Sequence, residues 1–149
     1  MINTAKTQII FIGSRQNIGR IPDDVKIRFN GSEISPSKHV KNLGVHFDNF
    51  MTFDRHIDET SKKAMGILMF LNRLKNKLTP EVRCTIVQSL VLSHINYCIK
   101  VWGTTGITQI QRMQKIMNFA AKIAVGNGRK YDRATPFIQK LQWLKVKER

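Results

Sequence analysis

The first fifty residues show a pattern of short apolar segments that is typical of β-strands: residues 8–12 are a β-branched apolar run that ends at Gly13, and residues 25–29 alternate strictly between apolar and basic side chains. It predicts three strands, at residues 8–12, 25–29 and 40–47, with Gly44 allowing close backbone approach in the third. Asn30-Gly31 follows the second strand and predicts a tight hairpin turn. We therefore expect short antiparallel strands over residues 1–50.

After Asn49 the apolar period lengthens to 3.6, which is typical of amphipathic helices. The apolar stripe of the first predicted helix comprises Ile57, Ala64, Ile67, Leu68, Leu71, Leu74 and Leu78. Thr79-Pro80-Glu81 predicts the start of a second helix, because threonine caps, proline fits the first position and glutamate favours the positive end of the helix dipole. The predicted inward positions of this helix are Val82, Ile86, Leu90, Val91 and Ile95.

Two further helices are predicted towards the C-terminus. The third carries an apolar stripe and ends at Gly126-Asn127-Gly128, and a short fourth begins at Thr135-Pro136. The stripe of the third helix comprises Ile107, Ile110, Met113, Met117, Ala120, Ala121 and Ala124. The predicted fold class is therefore α+β, with strands over residues 1–50 and a bundle of three to four helices over residues 51–149.

Charge changes this picture, because 25 Lys+Arg face only 10 Asp+Glu and give a net charge of +15 at pH 7. From residue 82 onwards there are 12 basic side chains and 2 acidic ones, and no carboxylate lies between Val82 and Tyr131. This excess argues against an acid-rich metal site or a cationic substrate. It favours a polyanionic partner, nucleic acid before an anionic membrane surface.

The sequence contains no convincing active site. Asp23-Asp24 is an adjacent carboxylate pair of the kind used in two-metal catalysis, but it follows Pro22 in a polar linker and is expected to form a turn. Five possible metal ligands fall between His46 and Asp58 without a recognised spacing, so no metal site is predicted. Cys84 and Cys98 are predicted to be buried, reduced thiols on one helix.

The third helix is the candidate binding element. Its face opposite the apolar stripe carries side chains at positions i, i+3, i+7 and i+10, namely Arg112, Lys115, Phe119 and Lys122. Cations one helical turn apart can meet successive phosphates, and an interleaved aromatic ring can stack on a base or a sugar. Arg129 and Lys130 extend the positive charge beyond the helix. The alternative is a solvated basic face with Phe119 packed on a neighbouring helix.

The order of these segments resembles the reverse transcriptases of non-LTR retrotransposons of the jockey-like LINE type. The residues that carry the resemblance are Lys6-Thr7 before residues 9–12, Val40-Lys41-Asn42-Leu43-Gly44-Val45-His46-Phe47-Asp48, Phe53-x-x-His56-Ile57, residues 90–97, Val101-Trp102-Gly103, residues 110–115 and 120–122, and Leu141-x-Trp143-Leu144 with the final Glu148-Arg149. The match is collinear over nearly the whole chain.

The resemblance implies a role for each part of the chain. Residues up to 50 would be the end of the palm, Leu43-Gly44-Val45 the primer-grip hairpin with Lys41 beside it, and the helices from Phe53 onward the thumb. The family's catalytic aromatic-Ala-Asp-Asp precedes the Lys-Thr segment, and Asp23-Asp24 follows it. We therefore expect a reverse transcriptase fragment that is inactive alone, and Mg²⁺ only in the full-length polymerase.

The expected partners are an RNA–DNA or DNA duplex and the remaining polymerase. An alternative is a stand-alone or repurposed basic helical nucleic-acid-binding module, and another is a basic bundle that binds acidic proteins. No signal peptide and no uninterrupted run of eighteen apolar residues is visible, so no membrane association is expected. The predicted location is intracellular, in the nucleus or in a cytoplasmic ribonucleoprotein.

Overall fold

The computed structural model describes residues 7–126, 128 and 131–149. The chain divides into two compact units, the first ending at His56 and the second spanning Ile57–Arg149. The first contains strands and the second contains helices, which confirms the predicted α+β class.

The first unit contains a short helix and two separate hairpins. Its elements are α1 (Arg15–Ile18), β1 (Ile27–Phe29), β2 (Ser32–Ile34), β3 (His39–Asn42) and β4 (Val45–Asp48). β1 pairs with β2 and β3 with β4, both antiparallel. Asn30 and Gly31 have φ of 47° and 77°, the positive values that a tight hairpin turn needs, so the turn predicted there is confirmed.

The predicted third strand is wrong in one respect, because residues 40–47 form a hairpin rather than a single strand. Leu43 and Gly44 are the two turn residues, with φ of 46° and 84°. Lys41 lies opposite His46 and Asn42 opposite Val45 across the turn. Leucine rarely adopts a positive φ, so its hydrophobicity resembled a strand position and concealed the turn.

The predicted strand at residues 8–12 is also wrong, because these residues have no regular secondary structure. Their backbone bonds to two separate loops: Ser37 N donates to Ile9 O at 2.7 Å, and Gly13 N donates to Asn49 O at 3.0 Å. Asn49 Nδ2 also donates to Phe11 O at 3.0 Å. These partners lie too far apart in the chain to form a continuous ladder, so the apolar run is anchored without forming a strand.

The second unit is built around two long helices, α2 (Asp54–Leu74) and α6 (Ile107–Val125). The first three residues of α2 belong to the first unit, which ends at His56. Between them lie α3 (Pro80–Ile86), a π-helical segment (Val87–Leu92), α4 (Ser93–Asn96) and α5 (Ile99–Trp102). α7 (Thr135–Lys140) and a 3₁₀ segment (Val146–Glu148) follow α6. The predicted cap of the second helix is confirmed, because Thr79 Oγ1 accepts a bond from Val82 N at 3.4 Å.

The core of this unit is formed by apolar side chains of its helices and of the C-terminal segment. It contains Ile57, Ala64, Leu68, Leu71, Val87, Val91, Leu92, Ile95, Trp102, Ile110, Met113, Ile116, Met117, Ala120, Ala121, Ile123, Ala124, Ile138, Trp143 and Val146. The C-terminal segment is tied to α6 by Val146 N, which donates to Gln114 Oε1 at 2.8 Å.

The inward face of the second predicted helix differs from the prediction. Val82 is 44% exposed and Leu90 is 49% exposed, whereas positions four residues apart, Val87, Val91 and Ile95, are buried. The π-helical segment explains this change, because its wider turn shifts the inward face away from a 3.6-residue period.

The cysteine prediction needs two corrections. Cys84 and Cys98 are free, as expected, but both are half-buried rather than buried. They also lie on different helical segments, because Cys98 adopts a φ of 51° and separates α4 from α5. Burial raises the pKa of the Cys84 thiol, which keeps it protonated and unreactive at neutral pH.

Candidate nucleic-acid interface

α6 has a buried face and an open face. Its apolar side chains enter the core, and the helix ends at Gly126, whose φ of 87° suits a glycine. On the other side, Arg112 and Lys115 are exposed, whereas Phe119 and Lys122 are half-buried. Ile107, predicted to be inward, is 53% exposed instead, because the first turn of α6 extends past the core.

Arg112 forms an ion pair with α2. Its Nη2 lies 2.8 Å from Asp58 Oδ1, and Asp58 Oδ2 lies 2.6 Å from Lys62 Nζ. The hydrogen bonds from Lys62 and Arg112 lower the pKa of Asp58 below its ordinary value. Asp58 therefore neutralises part of the positive charge at this end of the face. The guanidinium of Arg112 retains further N–H donors that can point outward.

Lys115 lies one turn further along α6. Its side chain is exposed, and it forms no ion pair or hydrogen bond with the described residues. A lysine of this kind can bind a phosphate without first breaking an internal contact. Of the predicted cations of α6 in the described part of the chain, Lys115 is thus an exposed one that no internal ion pair holds.

Phe119 and Lys122 line a groove of about 740 Å³ between α2 and α6. Met65 and Met69 of α2 form its opposite wall, and both are exposed. The complete lining is Met65, Met69, Asn72, Lys75, Phe119, Lys122, Ile123, Gly126 and Gly128. Phe119 therefore faces a groove that Met65 and Met69 of α2 also line. The alternative raised by the sequence was that Phe119 packs on a neighbouring helix.

A buried arginine, Arg83, fixes the C-terminal ends of these two helices. Its Nη1 donates to the carbonyl of Lys75 and, at 2.7 Å, to that of Leu78, and its Nη2 donates to Val125 O at 3.3 Å. The last carbonyls of a helix have no partner inside it and carry partial negative charge, so a guanidinium satisfies both needs. Sequence reasoning missed this residue because its partners lie in two other segments.

The hairpin of β3 and β4 carries the predicted primer-grip residues. Leu43 stands at its tip and is 81% exposed, Val45 is buried, and Lys41 is exposed on β3. An exposed leucine with a positive φ is unusual, because the conformation is strained and the side chain gains nothing from burial. The tip therefore presents an apolar side chain next to a cation.

Asp48 orders the loop that follows this hairpin. Its Oδ1 accepts bonds from the N–H groups of Phe50 and Thr52 at 2.9 and 3.0 Å, and its Oδ2 accepts from the Thr52 hydroxyl and Phe53 N at 3.0 and 2.8 Å. Burial opposes ionisation of this carboxyl, but the backbone bonds from Thr52, Phe50 and Phe53 outweigh it and lower its pKa. Asp48, which the sequence offered only as a possible metal ligand, therefore has the structural role of holding the loop at residues 50–53.

Asp23 and Asp24 are exposed in the turn before β1. In the described part of the chain, no three His, Cys, Asp or Glu side chains come together in an arrangement that could hold a metal ion. Arg129 and Lys130 lie outside the described residues. No helix within residues 7–126 and 131–149 is long and apolar enough to cross a bilayer.

Three known proteins are similar to this chain, and all come from retrotransposable elements. It is 29% identical over 97 residues to the RNA-directed DNA polymerase from mobile element jockey of Drosophila funebris. It is 28% identical over 107 residues to the Retrovirus-related Pol polyprotein from type-1 retrotransposable element R1 of Bradysia coprophila. Over 89 residues it is 26% identical to the Probable RNA-directed DNA polymerase from transposon X-element of Drosophila melanogaster.

These matches cover 63%, 70% and 58% of the chain, which spans only 11%, 10% and 10% of the length of those relatives. No protein-family model and no solved structure matches the chain. The resemblance to the reverse transcriptases of non-LTR retrotransposons is confirmed, and the similarity covers a small region of those relatives.

Proposed function

We propose that this chain is thumb and primer-grip sequence of a retrotransposon reverse transcriptase, and that it holds the template–primer duplex. The observation that carries the proposal is the match to three retroelement proteins over more than half of the chain. The charge supports it, because a duplex is a polyanion and residues 82–131 contain no carboxylate.

The helical unit supplies contacts of the kind that a moving duplex requires. A polymerase must hold any sequence and release it at each step, so phosphate contacts serve better than base-reading contacts. Lys115 is open for such a contact, and Arg112 can add one while it remains paired with Asp58. Phe119 and Lys122 approach the strand from the rim of the groove. Arg129 and Lys130, which follow in the sequence, add to the positive charge.

The β3–β4 hairpin has a separate part in this proposal. Within the segment Leu43-Gly44-Val45, the turn of Leu43 and Gly44 contacts the primer strand, with the exposed Leu43 side chain against sugars and Lys41 against a phosphate, whereas Val45 is buried in the hairpin. A tight turn suits this role, because its backbone has little freedom and holds the strand in one position.

Catalysis is not proposed for these residues. Two-metal nucleotidyl transfer needs a cluster of carboxylates. Asp23 and Asp24 lie in an exposed turn, and no three His, Cys, Asp or Glu side chains of the described residues come together in an arrangement that could hold a metal ion. The chain alone would therefore bind a primer terminus without extending it, and Mg²⁺ would act only with carboxylates of a longer polymerase. A primer-extension assay with Mg²⁺ and the four deoxynucleotides should yield no product, and extension by the purified chain would contradict this part.

The binding proposal is tested with fluorescently labelled RNA–DNA hybrids of two unrelated sequences. We expect affinities equal within about threefold for the two sequences, because phosphate contacts carry no sequence information. Log affinity should fall linearly with log salt between about 50 and 200 mM, because each phosphate contact releases counterions. Affinity that depended on sequence and not on salt would contradict the proposal.

A further inference from the structure

A second basic site lies at the N-terminal end of α6, away from the groove. Here a concavity of about 480 Å³ lies between α5, the start of α6 and the C-terminal segment. Its lining comprises Ile99, Lys100, Gly103, Thr104, Thr105, Ile107, Ile110, Val146, Lys147 and Arg149. None of these residues belongs to the predicted interface on the face of α6.

Three cations from two separate segments line this concavity. Lys100 belongs to α5, and Lys147 and Arg149 lie at the C-terminus; no carboxylate side chain belongs to the lining. None of the three forms a salt bridge with a carboxylate in the described part of the chain. The side chains of the lining therefore carry a net positive charge, which favours an anion.

Arg149 is held in place by uncharged acceptors. Its Nε donates to Leu144 O at 3.0 Å and its Nη1 to Asn96 Oδ1 at 2.9 Å. Burial lowers the pKa of Arg149, but an arginine remains protonated in proteins. These bonds orient the guanidinium without neutralising its charge, and they leave N–H donors for a further acceptor.

The helix start that borders the concavity adds to the positive potential. Gly106 provides no side-chain cap for α6, and the first turn contains no acidic residue. The N–H groups of Gln109 and Ile110 donate to Gly106 O at 3.0 and 3.3 Å. Those of Ile107 and Thr108 precede the first carbonyl partner that the helix can offer, so they can donate to an anion. No aromatic residue lines the concavity, so it offers no surface on which a base could stack.

We propose that the concavity lined by Lys100, Lys147 and Arg149 is a phosphate-binding site. Three cations together with backbone N–H groups match a compact anion that has several acceptor oxygens, and they match it better than a single carboxylate. The phosphate group can be the terminal monoester of a nucleic-acid strand or a diester within its backbone. This site does not depend on the proposed contacts along the face of α6.

The test uses two variants that differ by one charge, Ile107→Glu and Ile107→Gln. Ile107 lines the concavity and is exposed, so neither change disturbs the core. The glutamate should weaken phosphate binding about tenfold or more relative to glutamine, because it places a negative charge beside the anion. It should not lower the melting temperature, because an acidic residue in the first turn of a helix is favourable.

The direct measurement is titration of the protein with inorganic phosphate, followed by the amide NMR signals of Ile107 and Thr108. Wild type, Ile107→Gln and the remote exposed control Gln88→Glu should show a saturable shift at residues 107 and 108, and Ile107→Glu should not. Equal shifts in Ile107→Glu and Ile107→Gln would overturn the proposal. A triglutamate peptide that bound here as tightly as phosphate would also overturn it.

A second arm identifies the source of the phosphate. A 5′-phosphorylated duplex is compared with the same duplex ending in 5′-hydroxyls, again for the Ile107→Glu and Ile107→Gln proteins. A preference for the phosphorylated end that only Ile107→Gln retains assigns the terminal monoester. Equal affinities for both ends, lowered together in Ile107→Glu, assign a backbone diester. If Ile107→Glu lowered neither affinity, the proposal would fail, whatever the salt dependence of duplex binding.

Discussion

The carboxylate of Asp48 shows how one residue can determine a local conformation. It accepts four hydrogen bonds from residues 50–53, a stretch that contains two residues with positive φ, Met51 at 55° and Phe53 at 58°. Positive φ is unfavourable for such side chains, so the carboxylate bonds offset the strain of the loop. The loop leads directly into α2, whose first residue is Asp54.

Replacing Asp48 with Asn should lower the free energy of unfolding by about 1–3 kcal/mol at pH 7, because charge-assisted bonds to the backbone are lost. The pKa of this carboxyl is lowered in the folded protein, so its stabilising effect is present above about pH 4, near its unfolded pKa. The effect is lost as the pH falls through the folded pKa.

Urea unfolding of wild type and Asp48→Asn from pH 7 to pH 2 measures this effect. The two proteins should differ most at neutral pH and converge in acid. A difference that stayed constant over the whole range would show that the charge of Asp48 is not responsible. Asp24→Asn is the matched control, since Asp24 is exposed and should leave stability unchanged at every pH.

At the scale of elements, Arg83 joins the ends of α2 and α6. α2 and α6 run side by side in the same direction, because Asp58 contacts Arg112 near their starts and Arg83 reaches the last carbonyls of both. The groove that contains Phe119 lies along the same pair of helices. Arg83 therefore lies at the C-terminal ends of the two helices that border the groove, and it does not line the groove itself.

Arg83→Met should therefore destabilise the helical unit by about 2–3 kcal/mol, because three carbonyls lose a charged donor and the buried site stays polar. Thermal and urea unfolding followed by circular dichroism measure the change. The control is Arg73→Met, at an exposed position of α2, which should stay within about 0.5 kcal/mol of wild type. Equal stability of the two variants would refute the role assigned to Arg83.

Replacing two glycines with alanine, Gly126 at the end of α6 and Gly66 inside α2, should change the stability of the helical unit in opposite directions. A Cβ at Gly126 would lie 2.0 Å from Arg83 Nη2, and the φ of 87° is unfavourable for alanine, so Gly126→Ala should destabilise by more than about 1 kcal/mol. A Cβ at Gly66, inside α2, would meet nothing within 4 Å. Gly66→Ala should stabilise by about 0.5–1 kcal/mol. The melting temperature of each variant is compared with that of wild type. Shifts of equal sign would contradict the packing described at Gly126.

The features that the sequence predicted correctly are those determined by residues adjacent in the chain. The Thr79 cap, the Asn30-Gly31 turn and the Gly126 helix end each follow from a few adjacent residues, and each is confirmed. The π-helical segment was missed because a wider turn has no distinct local signature when every position from Val87 to Leu92 suits an ordinary helix or its surface. The hydrophobic pattern missed the Leu43-Gly44 turn because leucine carries no turn chemistry, and only the family resemblance implied a hairpin there.

The candidate interface shows the same division. Helical spacing was sufficient to place Arg112, Lys115, Phe119 and Lys122 on one side of α6. Spacing could not reveal that Asp58, 54 residues away, pairs with Arg112, or that Met65 and Met69 face Phe119 across a groove. Those contacts arise only when α2 and α6 pack together. Their binding roles remain predictions.

At the scale of the whole molecule, the distribution of charge is the property that the proposed function requires. The net charge of +15 is concentrated after residue 82, and the described helical unit pairs few of its cations with carboxylates. An excess of positive charge attracts polyanions from a distance, and we propose that this chain holds a nucleic-acid duplex through many weak contacts. We propose that the face of α6 with Arg112, Lys115, Phe119 and Lys122 provides several of those contacts.

The salt dependence of duplex affinity tests that claim most directly. Wild type is compared with a variant that combines Arg112→Ala, Lys115→Ala and Lys122→Ala, and with a charge-matched control at the exposed positions Lys63→Ala, Arg73→Ala and Lys140→Ala. The α6 variant should bind an RNA–DNA hybrid more weakly and show a salt slope reduced by up to about three phosphate contacts. The control should keep most of the wild-type slope. An unchanged slope in the α6 variant, or an equal loss in the control, would contradict the account.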